Sequence, residues 1–411
     1  MMRIDLPKGS AYRVEGPACL HVISGCIRVS GGRKTEGERV IVPRARSVSV
    51  EAVEQSSVDY LGEEGKLEEL KGEVIPSEWM RAIDEIRKTG GTVLVLGDVD
   101  VGKTFFTTCA GNLLFESGME VAVLDGDVGQ NDIGPPATVA LGKFERPVGL
   151  LAELRMRDAY FVGDVSPAGH IPEFLVGMAR LARRGSEISD VLLVNTPGWI
   201  SGQGRTLQIL TAEMLEPSLI IALQRRDELE GILGFFEKVM RLPVSPHARS
   251  RSREERAEIR RLNFARYFEN AKRVELDMRK CSVFGKLLGS GREIEPACFG
   301  NHVVYVESTG NELFLVSEEE LSEGEVERIR KFFGKVKWIK TGEEKGLLAG
   351  LLGADGRMLG LGIIERVDFR RKKLIVISPV DRIEEVMAVR VGTIRIKPSG
   401  EEIYTAEGEV L

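Results

Sequence analysis

The sequence is poor in the residues that build metal and redox centres, with five cysteines and four histidines in 411 residues. Cys19, Cys26, Cys109, Cys281 and Cys298 include no CxxC pair and are odd in number, which argues against both a disulfide framework and a zinc knuckle. His21, His170, His247 and His302 spell no HExxH, so core or surface roles are expected for them. Apolar runs such as Val93-Leu94-Val95-Leu96 fall far short of the roughly 20 residues of a membrane span. The opening stretch, residues 1–10, has no apolar centre of the signal-peptide kind. The expectation is a soluble cytoplasmic protein with no membrane association. Asparagine and glutamine are scarce, 7 and 5, against 57 Lys+Arg and 63 Asp+Glu, a balance seen in heat-adapted proteins. With a net charge of −6, any nucleic-acid binding must use a local basic patch.

What is present is a globular composition, 43% hydrophobic and 29% charged, enough for two or three domains. Residues 1–75 read as short strands punctuated by Gly, Pro and charge, hence a small β domain. Its acidic tail around Glu68, Glu69 and Glu73 reads as solvated linker or helix surface. From 76 to 300 strands alternate with helical stretches: Thr92–Leu96 (strand), Thr104–Phe115 (helix), then the strands Glu120–Leu124, Asp190–Val194 and Leu219–Leu223. That alternation predicts a parallel sheet with helices on both faces. From 301 to 411 β-like runs return around a helix at Glu323–Phe333, predicting a C-terminal α+β domain. Gly346–Gly353, rich in leucine, reads as a packed segment and not as a binding loop.

The chemistry concentrates in the middle. Gly97-Asp98-Val99-Asp100-Val101-Gly102-Lys103-Thr104 fits GxxxxGK[ST] between a strand and a helix, the context a phosphate loop requires. Backbone N–H groups there cradle phosphate, helped by the helix N-terminus. Lys103 is placed for the β/γ-phosphates and Thr104 for Mg²⁺. The next strand ends Asp125-Gly126-Asp127, two carboxylates that share a face of a strand at its ligand end. A polar strand-end turn is the other reading of the same residues. Asn195-Thr196-Pro197-Gly198 has Asn where GTPases carry an acid, and no NKxD follows, which argues against a GTPase. Trp199 leaves this strand beside the flexible Ser201–Gly204, placed either to stack on a nucleobase or to pack in the core.

Between Arg249 and Arg266 seven arginines face three glutamates, the basic patch an otherwise acidic chain needs. Arg256 and Arg260 are four apart, on one helical face. The segment, about 245–270, reads as a lid over a triphosphate or as a surface helix laced by Glu–Arg pairs.

With the P-loop, Asp127-Val128-Gly129-Gln130, Thr196-Pro197-Gly198-Trp199 and the arginine segment in this order, the chain resembles the polynucleotide 5′-hydroxyl kinase family. That family includes RNA kinases associated with pre-mRNA cleavage, tRNA splicing and pre-rRNA processing. Further matching stretches are Phe161–Pro167, Gly202–Gly204 and Tyr267-Phe268, although Glu269-Asn270 follows where the eukaryotic pattern has Tyr-Gly. The resemblance implies a P-loop NTPase core with a parallel sheet, an N-terminal β domain that helps hold adenine, and ATP and Mg²⁺ as cofactors. Gly97 to Phe105, with Arg251, would hold ATP, and Thr104 and Asp127 would hold Mg²⁺. Asp127 would also orient and deprotonate the 5′-hydroxyl, with Lys103, Arg256 and Arg260 acting on the transferring phosphate. Gln130, Thr196 and Trp199 would hold the terminal nucleotide. The implied activity is transfer of the γ-phosphate to 5′-OH RNA, with DNA as a further acceptor and RNA-processing proteins as partners. The alternatives are an ATP-binding scaffold of an RNA-processing complex without kinase activity, and a P-loop ATPase acting on a protein.

Overall fold

The computed structural model describes residues 2–63, 65–285 and 288–403. They fall into two compact units, Met1–Ala159 with Ser166–Ile259, and Tyr160–Val165 with Arg260–Leu411; residues 404–411 of the expected C-terminal domain lie outside the described residues.

The first unit opens with two antiparallel sheets. One has the order Met2–Leu6, Ser56–Leu61, Ala18–Ser24, Arg39–Val42; the other runs Gly32–Thr35, Cys26–Val29, Ser47–Ala52, Ala11–Glu15, Leu67–Leu70. Along Ser47–Ala52 every second side chain is buried, the period of a strand with one wet face. Val14, Leu20, Val22, Ile27, Val50 and Val58 close the core between the sheets. Each such side chain, fully buried, stabilises by about 1.5–3 kcal/mol. The acidic run expected as linker is instead the edge strand Leu67–Leu70, with Glu68 and Glu69 exposed. Charge on an edge strand discourages pairing with a foreign strand, so the acidic composition is compatible with β structure.

Helix Ser77–Thr89 then leads into a seven-stranded sheet. Its parallel part has the order Val121–Asp125, Val191–Asn195, Gly91–Gly97, Leu219–Gln224, Val239–Pro243, with Thr138–Lys143 added antiparallel. Val93 to Leu96 and Val191 to Val194 are fully buried or nearly so, as strands covered on both faces must be. The chain leaves Gly91–Gly97 toward one side and later crosses to the other. The carboxyl ends of Gly91–Gly97 and Val191–Asn195 therefore meet at the switch point where such sheets bind ligands. Trp79 is wholly buried at the foot of this layer, where its Nε1 donates to Pro243 O at 2.8 Å and its ring meets Phe106 edge-on.

The second unit carries a six-stranded sheet and a four-stranded one, the latter with helix Glu323–Phe333. Ser322 and Glu325 cap that helix reciprocally, a signature present in the sequence. The leucine-rich stretch is strand Leu347–Leu352, buried at every position. No helix among the described residues is long and apolar enough to cross a membrane.

Candidate active site

Strand Gly91–Gly97 delivers the chain to a tight loop in which Asp100 (φ +59°) and Gly102 (φ +93°) are left-handed, and helix Lys103–Glu116 starts at once. Left-handed residues in a loop turn successive N–H groups to one side, making an anion-binding nest that the helix N-terminus extends. Lys103 is buried, and its Nζ donates to Gly97 O at 2.9 Å and Asp98 O at 2.7 Å. Burial pulls its pKa down to about 8, against the pull of Asp127, Asp98 and Asp100 in the other direction.

The neighbouring strands bring two carboxylates alongside. Asp125 is completely buried: Oδ1 accepts from Asn195 Nδ2 (3.0 Å) and the Asp127 N–H (3.2 Å), and Oδ2 from the Asp132 N–H (2.8 Å). Burial and the nearby Asp132 push its pKa up to about 7. Asn195 Nδ2 also lies 3.5 Å from Thr104 Oγ1, so one amide touches both the P-loop hydroxyl and Asp125. Asp127 closes a small turn through the N–H groups of Gly129 (3.2 Å) and Gln130 (3.0 Å). Burial raises its pKa too, opposed by Lys103.

These groups open onto a cavity of about 270 Å³ lying wholly within the first unit. Lys103, Thr104, Asp127, Gln130, Arg251 and Arg256 line it, and the sandwich contributes a further wall that includes Arg46, Leu70 and Val74. Arg46 is ion-paired with Asp132, both nearly buried. Helix Arg253–Phe268 carries the arginine segment. Arg256 Nη1 donates to Asp100 Oδ2 at 3.0 Å, and the Arg251 N–H donates to the same oxygen at 2.9 Å. Gln130 Nε2 donates to Arg256 O at 3.2 Å.

Three expected residues stand elsewhere. Arg260 belongs to the second unit, where Nε and Nη2 bind the Glu402 carboxylate at 2.5 and 3.2 Å. Thr196 is fully buried and its hydroxyl donates to Val95 O at 2.8 Å, pinning its loop to the P-loop strand. Trp199 is half-buried over Gly204, where an added Cβ would fall 2.4 Å from the indole. Gly198, one residue before, packs against Val99 of the P-loop, where an added Cβ would fall 2.7 Å from its side chain. The sequence pointed both Asp125 and Asp127 toward Mg²⁺ or an attacking hydroxyl and gave the family role to Asp127 alone; the structure places Asp125 behind it, bonded to Asn195 and to the N–H groups of Asp127 and Asp132. The sequence had no signal for Arg46 or Asp132, which are ordinary surface residue types met through the tertiary fold.

Residues 97–270 match the family model for the P-loop of the mRNA cleavage and polyadenylation factor CLP1. A polyribonucleotide 5′-hydroxyl-kinase of Pyrococcus furiosus is 35% identical over 334 residues, 79% of this chain and 93% of the relative. The chain belongs to the polyribonucleotide 5′-hydroxyl kinase family. Another relative of that name, from Methanocaldococcus jannaschii, is 32% identical over 323 residues, 76% of this chain and 88% of its own. Clp1p, solved as a Clp1p–Pcf11p complex, shares the fold of this kinase-family chain at a TM-score of 0.68 and 13% identity, covering 96% of this chain and 97% of the solved one. Family membership carries ATP use with it.

The site also fits that cofactor physically. Lys103, Arg46, Arg251 and Arg256 give the cavity cations for a polyphosphate. Thr104, Asp125 and Asp127 supply hard oxygen donors of the kind Mg²⁺ takes alongside phosphate and water.

Proposed function

We propose that this chain is an ATP-dependent polyribonucleotide 5′-hydroxyl kinase that moves the γ-phosphate of ATP to the 5′-OH end of RNA. The observation that carries the reading is the convergence on one cavity of the P-loop lysine, Asp127 and two lid arginines, in a chain of this family. In the transfer, the 5′-oxygen bonds to the γ-phosphorus, the bond from that phosphorus to the β,γ-bridging oxygen breaks, and ADP leaves. The hydroxyl proton passes to Asp127, whose burial makes its carboxylate a stronger base than an exposed one, against the pull of Lys103. Lys103 and Arg256 balance the charge on the transferring group, and Arg251 is placed beside them. Thr104 and Asp127 would hold Mg²⁺, which would supply neutralisation of phosphate charge. The apolar patch of Leu70, Val74 and Phe105 suits the adenine ring. Trp199, braced on Gly204, offers a flat face to the terminal base. A direct role for Thr196 and for Arg260 would need both side chains to leave the bonds described above.

The test is transfer of label from γ-labelled ATP to a short 5′-OH RNA, with 5′-phosphorylated RNA and 5′-OH DNA in parallel. Label confined to 5′-OH ends, and lost in Asp127→Asn while ATP still binds, supports the kinase. ATP binding with no labelled RNA would overturn it in favour of a nucleotide-binding scaffold. The DNA arm measures acceptor breadth, and co-purification from native extract asks for a protein partner.

A further inference from the structure

We propose that Asp100 is a positioning residue for transfer: its carboxylate, in the middle of the phosphate loop, fixes where the Arg256 guanidinium stands. The inference rests on the kinase reading above and goes beyond it, since that reading gives Asp100 no task except to be part of the loop.

A carboxylate in a phosphate loop is a liability, because it repels the polyphosphate the loop exists to hold. Its presence calls for a compensating role, and the geometry supplies one. Asp100 takes a left-handed backbone (φ +59°) that aims its carboxylate across the cavity at the start of the lid. Oδ2 there accepts two bonds, from the Arg251 N–H at 2.9 Å and from Arg256 Nη1 at 3.0 Å. The same Nη1 donates to Arg251 O at 2.7 Å, which closes a ring of the Asp100 carboxylate, the backbone of Arg251 and the Arg256 guanidinium. Asp100 and Arg256 are 15% and 29% exposed, so this ion pair is shielded, unlike the exposed pairs of Arg249 with Glu15 and Glu255. From the other side, Gln130 Nε2 holds Arg256 O, tying the lid to the turn that contains Asp127.

The arrangement ties Arg256 at two points, its guanidinium to the phosphate loop and its backbone carbonyl to the acid turn. A cation that stabilises a phosphoryl group in flight must already stand in place, because reorganisation during transfer costs rate. Backbone bonds fix where the lid helix begins, the Arg256 N–H donating to Ser252 O at 3.2 Å, but they do not fix where the Arg256 guanidinium stands. The Asp100 charge does.

The discriminating variant is Asp100→Asn. Asparagine tolerates the left-handed backbone and still accepts from the Arg251 N–H, so only the charge is removed. The expected result is a kcat lowered about tenfold or more with the KM for ATP unchanged or lower, since a repulsive charge has gone too. Trypsin cleavage within residues 249–256 should become several-fold faster at an unchanged Tm. Asp100→Ala, which removes the backbone tie as well, should cleave faster still. A kcat within twofold of the parent protein with unaltered cleavage would overturn the proposal. So would a raised ATP KM with kcat intact, which would make Asp100 a cradle residue only. If the parent protein transfers no phosphate, the kinase reading fails by itself, and the tryptic comparison still decides whether Asp100 holds the lid.

Discussion

The side-chain amide of Asn195 bridges Asp125 and the phosphate loop, donating to Asp125 Oδ1 at 3.0 Å and lying 3.5 Å from Thr104 Oγ1. The position resembles that of the acid in GTPases, yet here an acid would stand against a second, fully buried carboxylate. Asn195→Asp should therefore force one of the two to stay protonated near neutral pH. We expect kcat to fall by about tenfold or more and to drop further where Asp127→Asn is combined with it, measured by steady-state labelling of 5′-OH RNA.

Asp125 itself gives a stability signature. Its folded pKa, about 7, lies above that of an unfolded carboxylate. The stability its neutral form confers is fully present below the unfolded value and is lost as pH rises through about 7. In Asp125→Asn that loss has no source. Thermal melts from pH 5 to 8 should show the parent protein declining toward the alkaline end and the variant declining less.

Lys103 titrates in the opposite sense to an exposed lysine's indifference in this range. With a pKa of about 8 it is charged at pH 7 and largely neutral by pH 9. ATP binding requires the ammonium, so affinity should weaken as pH rises through about 8, and binding near pH 8.5 should take up protons. Calorimetry in two buffers of different ionisation enthalpy measures the uptake directly; no buffer dependence would contradict it.

Trp199 and Gly204 form a brace that a methyl group would break, the added Cβ falling 2.4 Å from the ring. Gly204→Ala should raise the KM for RNA by several-fold and leave ATP binding alone. Trp199→Ala should weaken RNA binding by about 1–3 kcal/mol, again with ATP unaffected. Fluorescence anisotropy with labelled 5′-OH RNA reads both.

The sequence was most legible where one motif dictates its own surroundings. Gly97 to Thr104 required a strand before it and a helix after it, and Gly91–Gly97 and Lys103–Glu116 are those elements. Alternating strand and helix patterns likewise located Val191–Asn195 and Leu219–Gln224, because fully buried parallel strands are nearly continuous in apolar residues. The pairings were not legible. Asp100 meets Arg256 across 156 positions and Asn195 meets Asp125 across 70, and no local spacing encodes such partners. Thr196 shows a subtler limit: its hydroxyl bonds to Val95 O, which a motif cannot distinguish from a hydroxyl aimed at ligand.

Asn112 draws out what the sandwich means for the core. Its buried amide donates to Ser30 O (2.9 Å) and Val148 O (2.8 Å) and accepts from the Val148 N–H (2.8 Å), while Gly31 lies against Cys109 of the same helix at 3.2 Å from an added Cβ. Removing the first seventy or so residues would strip a bonding partner from that amide, at about 1–3 kcal/mol, and bare the flank of the helix that begins at Lys103. The small β module thus braces the helix that starts the phosphate site, and a chain cut down to its nucleotide-binding motif would lose that brace along with the wall the module lends to the cavity.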